Sequence, residues 1–525
     1  MLKSFFLGPD DEQRPQRWLL LACVLVGLGL RVFNFAIAPP SLWQDEAYWA
    51  VKAVKTAAID AQIRPLGFML VTQLLLRTLQ VAGWVYRLLP FAGSLLSMGL
   101  APYVALRLFK SGWVRALSVL LLALSPVALE MAVEFKHYGV EVGVYVGILA
   151  ALLFYRDRPS WSRLALLLGA AWASFFFSLT IIFFYPAVFG WLLLVSFRQR
   201  QWRRVAAAAG VALLCLGTIT TIYFTTWRTI KTEKAEKKWG TFYDVFYTKN
   251  GPQNKYDSRA TWSTAKYFEL AGTPGVGRVL WRASRISEPA LDRLRNVDWA
   301  VWSALHLAGL AYLLQRRRYL ELFALWTPLL LVTAFNFAGR WPAGAFRTNT
   351  FYVPFAIFLS CHALEWLSEA QGRLRRATPA AALLLLLPTL YFRPGLTEKG
   401  LWAKPGDFPA ALALLPLDPP SRERTLIMDF ASCRPWDYYT VYDAPTRDIG
   451  PTLRRRYKDS CQRQTRKLEA EMRRRATPKR GFWLLMTDQR KYDYLQGVAR
   501  EICEKAEVQF VRGRTHMLVR CTQGK

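Results

Sequence analysis

The sequence predicts a polytopic α-helical membrane domain followed by a small soluble α/β domain. Two observations predict the first part, and a change of pattern near residue 395 predicts the second. Apolar residues gather in runs of about 18 to 24, the length an α-helix needs to cross a hydrocarbon core. RWLLLACVLVGLGLRVFNFAIA (17–38), GWVRALSVLLLALSPVALEMA (112–132) and RVAAAAGVALLCLGTITTIYF (204–224) are examples. Between the runs, arginine and lysine cluster at a regular alternation, in KSGWVR (110–115), RDRPSWSR (156–163), RQRQWRR (198–204), QRRRY (315–319) and RLRR (373–376).

Each element follows from those loops. Basic loops face the cytoplasm, so the Arg14 and Arg17 end and all five clusters are expected inside, separated by even numbers of crossings. The run 17–38 is longer than a signal-peptide core, carries Arg31 and precedes Pro39-Pro40, so it is expected to be a retained first span. Only one of the next two apolar stretches can then cross. IRPLGFMLVTQLLLRTLQVAG (63–83) puts Gln73, Arg77 and Gln80 on one helical stripe and is expected to lie in the outer interface. The segment before it repeats the pattern, with Asp45, Lys52 and Thr56 on one face. Crossings are expected at 17–38, 86–107, 113–131, 138–155, 161–178, 180–197, 204–226, 298–315, 319–337, 348–367 and 377–393. That makes about eleven, with the N-terminus cytoplasmic and the C-terminal tail outside.

Residues 227–297 form an outside loop rich in lysine, tyrosine and tryptophan, and its aromatics favour an ordered lid or groove over disorder. Residues 395–525 are expected to be an extracytoplasmic α/β domain, the rest a transmembrane domain (1–394). TLIMDF (425–430) and GFWLLMTD (481–488) read as buried strands followed by helices, and EVQFVRGRTHMLVRC (507–521) as a hairpin. The stretch 453–480 between them reads as one strongly basic helix. Of seven cysteines, Cys433, Cys461, Cys503 and Cys521 fall in this tail, which in an oxidising compartment predicts two disulfides with three pairings open. The formal charge of +32 is accounted for by cytoplasmic loops against anionic lipid. No nucleic-acid fingerprint accompanies it, so nucleic acid is excluded as a partner.

The charges on the expected outer face carry the chemistry. Asp45-Glu46 opens a helix, where negative charge suits the N-terminal dipole. EFKHY (134–138) and GRWPAGAFR (339–347) bring a further carboxylate and several cations to the same side. A carboxylate opposite cations at a membrane surface suits transfer from a lipid phosphate. The acceptor must lose a proton to a general base within hydrogen-bonding reach, and departing phosphate needs Arg or Lys where charge develops. Asp45, Glu46 and Glu134 are the candidate catalytic carboxylates. Lys136, Arg340, Arg347 and Arg64 are candidate phosphate contacts, with His137 and Tyr138 as neighbours. No motif demands a cofactor; a divalent metal stays open, with only Asp45, Glu46 and Glu134 able to ligate one.

The order of a first span, DEAYW, RPLGF on the next helix and EFKHY after the third crossing resembles the GT-C class of membrane glycosyltransferases. The nearest likeness is to glycosyltransferase family 39, which holds protein O-mannosyltransferases and lipid A aminoarabinose transferases. The resemblance covers roughly residues 15–180. It implies a polyprenyl-phosphate sugar donor, transfer at the outer face with inversion, Asp45 as base, and Glu134 as a second acidic residue. Family members carry His-Pro-Pro-Leu where this chain has Arg64-Pro65-Leu66-Gly67, so the histidine's role has no bearer here. A bacterial inner membrane is the implied location, and the acceptor is left open among glycan, lipid and protein. The alternatives are a ligase or polymerase of lipid-linked glycans, and a lipid or polysaccharide transporter. A transporter would place charges near the middle of its spans.

Overall fold

The computed structural model describes residues 14–37, 42, 44–55, 65–222, 224, 258–272, 274, 289–338, 340–342, 347–370, 379–386, 408–443, 449–462, 465–477, 481–486, 492–510 and 517–523. The first half is a run of helices: α1 (Arg14–Ile37), α2 (Gln44–Lys55), α3 (Leu66–Thr78), α4 (Gly83–Leu108), α5 (Gly112–Leu124), α6 (Pro126–Ala132), α7 (Tyr138–Asp157) and α8 (Trp161–Ser174). A 3₁₀ turn at Leu179–Phe183 leads into α9 (Tyr185–Arg198), then α10 (Trp202–Ile222), α11 (Arg259–Ala271), α12 (Pro289–Gln315) and α13 (Tyr319–Phe337). A second 3₁₀ turn at Arg347–Tyr352 precedes α14 (Val353–Glu369).

Among the described residues, 8 helices are long and apolar enough to cross a membrane, or 9 when the bent pair α5–α6 counts as one. The chain is therefore a multi-pass membrane protein. Two expected crossings differ from this set. The one at 161–178 appears as α8, whose 14 residues rise about 21 Å, short of the hydrocarbon thickness. The one at 377–393 is described only over 379–386, which are helical. The stretch expected to lie along the interface is α3, with 13 residues, and α2 before it has 12; neither has the length of a full crossing. Helix α4 continues through Pro90 and Pro102, as spans can when neighbouring groups take up the freed carbonyls.

The chain divides into two compact units, one of residues 1–36, 62–68 and 89–401, the other of residues 37–61, 69–88 and 402–525. In the first unit, α14 and α7 are almost wholly enclosed, while α10 and α1 face outward. Helices α4 and α7 approach closely because glycines face each other: a Cβ on Gly143 would lie 2.3 Å from the Gly93 carbonyl oxygen. Small residues at such crossings are how membrane helices pack without a hydrophobic drive between them.

The second unit holds a five-stranded sheet in the order β2-β1-β3-β5-β4. The strands are β1 (Thr425–Asp429), β2 (Lys458–Gln462), β3 (Phe482–Met486), β4 (Lys505–Phe510) and β5 (Met517–Thr522). Strands β2, β1 and β3 run parallel, with Met428 opposite Cys461 and Leu485; β5 is antiparallel to β3 and β4. The apolar runs at 425–430 and 481–488 thus become central strands, and β4–β5 form the expected antiparallel pair. Around them lie α15 (Phe408–Ala413), α16 (Phe430–Val441), α17 (Gly450–Arg456), α18 (Thr465–Arg475) and α19 (Tyr492–Ile502). The basic stretch 453–480 is not one helix: it divides into the end of α17, β2 and α18. Tertiary pairing overrides its local preference, since KDSCQ lies in register along β1. Cys461 there is joined to Cys433 of α16, and Cys503 to Cys521 of β5.

Candidate active site

In the second unit the acidic pair lies at the start of α2, where exposed amide groups favour negative charge. Glu46 is fully buried. Its Oε2 lies 3.1 Å from Nη2 of Arg87, and both side chains are excluded from water. Arg87 sits near the beginning of α4, so this ion pair ties α2 to α4. A second tie comes from α3, where Gln73 Nε2 donates to the Ala53 carbonyl at 3.0 Å. Helix α16 packs along α2. The Leu42 amide donates to the Tyr439 hydroxyl, Lys55 lies 5.3 Å above the Tyr442 ring, and Tyr86 meets Tyr438 edge to face at 5.8 Å. Tyr438 in turn donates to Asp443 Oδ1 at 3.1 Å. Burial pushes the phenols of Tyr438 and Tyr439 well above their ordinary value of 10.0, so both remain protonated hydrogen-bonding groups.

In the first unit EFKHY forms a tight bend between α6 and α7. The Lys136 amide donates to the Glu134 carbonyl at 2.6 Å, and Glu134, Lys136, His137 and Tyr138 are all buried. His137 leads into α7, with Nε2 3.7 Å from Glu141 Oε1 one turn on. That oxygen accepts from Thr180 Oγ1 at 2.9 Å and from Ser178 Oγ at 3.3 Å. The connection after α8 is thereby joined to the start of α7.

The first residues of α3 complete this group. The amides of Gly67 and Phe68, at an N-terminus that would otherwise leave them bare, donate to the Phe176 carbonyl at 2.7 and 3.2 Å. A Cβ on Gly67 would lie 2.8 Å from that oxygen, which explains glycine after Pro65-Leu66. Phe68 then stacks on Phe135 at 5.8 Å and meets His137 edge-on at 6.3 Å.

Glu134, Lys136, His137 and Tyr138 thus share one turn, with Gly67, Ser178 and Thr180 drawn to it. Glu46 is held by Arg87. Arg340 lies exposed just past the end of α13, its amide bonded to the Phe335 carbonyl at 2.7 Å. Arg64 lies outside the described residues, as do the side chains of Asp45 and Arg347. Arg87 and Glu141 were not singled out from sequence. A lone arginine opening an apolar run and a glutamate four residues after His137 were the signals for them. Among the described residues no group of three or more His, Cys, Asp or Glu side chains is placed to hold a metal ion.

No family model matches the chain, and no curated protein matches it. Among solved structures it is similar to ArnT from Cupriavidus metallidurans in the apo state, at 12% identity and a TM-score of 0.48 over 95% of this chain and 97% of that one. The same protein bound to undecaprenyl phosphate gives 13% identity and a TM-score of 0.45 over 95% and 97%. The oligosaccharyltransferase of Archaeoglobus fulgidus in the apo form gives 12% identity and 0.45 over 94% and 69%.

Proposed function

We propose that this protein is an inverting membrane glycosyltransferase that moves a sugar from a polyprenyl-phosphate donor to an acceptor at the outer face of a bacterial inner membrane. The observation that carries the proposal is the buried ion pair of Glu46 with Arg87, from which we infer a division of labour within the acidic pair. Glu46 is committed to a buried ion pair with Arg87 that fixes the start of α2, and the proton transfer falls to Asp45, one residue earlier. The acceptor hydroxyl or amine attacks the anomeric carbon, Asp45 takes its proton, and the bond to the phosphate oxygen breaks. Lys136, Arg340, Arg347 and Arg64 meet the negative charge that develops on the leaving phosphate, the place where fixed cations act most strongly. Glu134 is the second carboxylate. In this arrangement the N-terminus is cytoplasmic and the C-terminal α/β domain extracytoplasmic, where its two disulfides are stable.

The purified protein in liposomes, supplied with a panel of polyprenyl-phosphate sugars and cell-envelope glycan, lipid and protein acceptors, tests this by mass spectrometry. One donor is expected to release free polyprenyl phosphate as an acceptor gains the mass of one sugar. Consumption only of pyrophosphate-linked oligosaccharides would favour the ligase alternative instead.

A further inference from the structure

One cation in the first unit has no carboxylate to answer it among the described residues. Arg31, within α1, is fully buried, and its donors go to uncharged acceptors. Nε donates to Ser94 Oγ at 2.7 Å, Nη1 to the carbonyls of Gly27 at 3.0 Å and Ala123 at 3.4 Å, and Nη2 to the Leu122 carbonyl at 3.2 Å.

The acceptors show what the arginine does. Helices α5 and α6 are one apolar run bent by 51° at Ser125. In an unbroken helix the Leu122 carbonyl would accept from residue 126, but Pro126 has no N–H. At the far end of α6 the Val133 amide turns to the Glu130 carbonyl at 3.2 Å, which withdraws it from Leu129. Asn34, three residues after Arg31 and on the same face of α1, supplies the replacement, donating Nδ2 to the Leu129 carbonyl at 2.8 Å. Carbonyls left bare in an apolar interior are strongly disfavoured. Helix α1 comes near enough because a glycine faces the bend: a Cβ on Gly27 would lie 2.9 Å from the Ala123 Cβ.

We propose that Arg31 and Asn34 are positioning residues that hold the α5–α6 bend and so set the direction in which the chain delivers Glu134, Lys136 and His137. The functional part of this inference rests on the reading of that turn as part of the transferase site. The structural part stands without it.

The test is hydrogen exchange by mass spectrometry on the full-length protein, beside sugar-transfer rates. Arg31→Met is expected to raise exchange over 126–137 by about tenfold, with α9 and α14 unchanged, because the opening is local. Asn34→Leu, a milder change, is expected to raise exchange over 129–133, and it serves if Arg31→Met fails to fold. The decisive variant is Arg31→Met with Pro126→Ala, which returns an N–H to the Leu122 carbonyl. Exchange protection and thermal midpoint are expected to recover while kcat stays low, because a straightened helix misdirects the turn. Recovery of kcat together with stability would overturn the positioning role, and unchanged exchange over 126–137 in both single variants would overturn the staple. Should the wild-type protein transfer no sugar, the exchange results still decide the staple, and the failure belongs to the proposed activity.

Discussion

Glu46 and Arg87 are both shut away from water, so removing one partner leaves an uncompensated buried charge. Glu46→Gln or Arg87→Met alone is expected to lower stability by about 3–5 kcal/mol, and the double substitution by less than either. Thermal midpoints in detergent would show this as two strongly lowered single variants and a partly restored double. Single variants that melt like the parent would mean that the pair does not anchor α2. At this scale the sequence disclosed residue types but not partners. Asp45-Glu46 stood out as adjacent acids after a span, whereas Arg87 belongs to another helix, and nothing local links it to Glu46. Glu141 was closer to legible, since its spacing from His137 is one helical turn. Its hydroxyl partners Ser178 and Thr180 come from a connection about 40 residues away, and only folding brings them there.

Among the elements, α3 depends on a single small residue. Gly67→Ala would drive a Cβ to 2.8 Å from the Phe176 backbone oxygen, an atom that cannot swing aside. The substitution is expected to cost about 1–3 kcal/mol and to weaken protection of the Gly67 and Phe68 amides in hydrogen exchange; a neutral effect would mean that this contact is loose. The long helices were legible because a crossing needs a contiguous apolar run, which sequence displays directly. The two central strands were legible for the same reason, being short, buried and bounded by polar residues. Strand β2 was not: Lys458, Asp459, Ser460 and Gln462 carry no strand signal, and their placement comes from pairing with β1 and from the Cys433–Cys461 bond. Each disulfide, closing 28 or 18 residues of chain, contributes about 3–4 kcal/mol by the loop-entropy argument.

For the molecule as a whole, charge sets both the topology expected across the membrane and the pH range of the α/β region. In α18 the carboxyl of Glu471 is held below its ordinary value of 4.5 by Arg474 and then Arg475, and in α19 that of Glu501 is held below it by Arg473 of α18. A carboxylate with a lowered folded pKa adds stability that is fully present above its ordinary value and is lost as pH falls through the folded one. Protection of residues 465–475 and 492–502, corrected for intrinsic exchange, is therefore expected to hold above pH 4.5 and to fall on further acidification. Glu471→Gln should flatten that dependence; an unchanged acid limb in this variant would remove Glu471 from the explanation. The packing of α16 on α2 belongs to this scale too. It joins residues almost 400 positions apart, which no local pattern announces.

The central claim is that Asp45 takes the acceptor's proton while Glu46 holds the helix. The most direct measurement is sugar transfer by Asp45→Asn in proteoliposomes, beside the parent protein and with the helical fold checked by circular dichroism. A loss in kcat of about 10²–10⁴-fold with donor binding retained is the expected result. Transfer at the parent rate by correctly folded Asp45→Asn would contradict it.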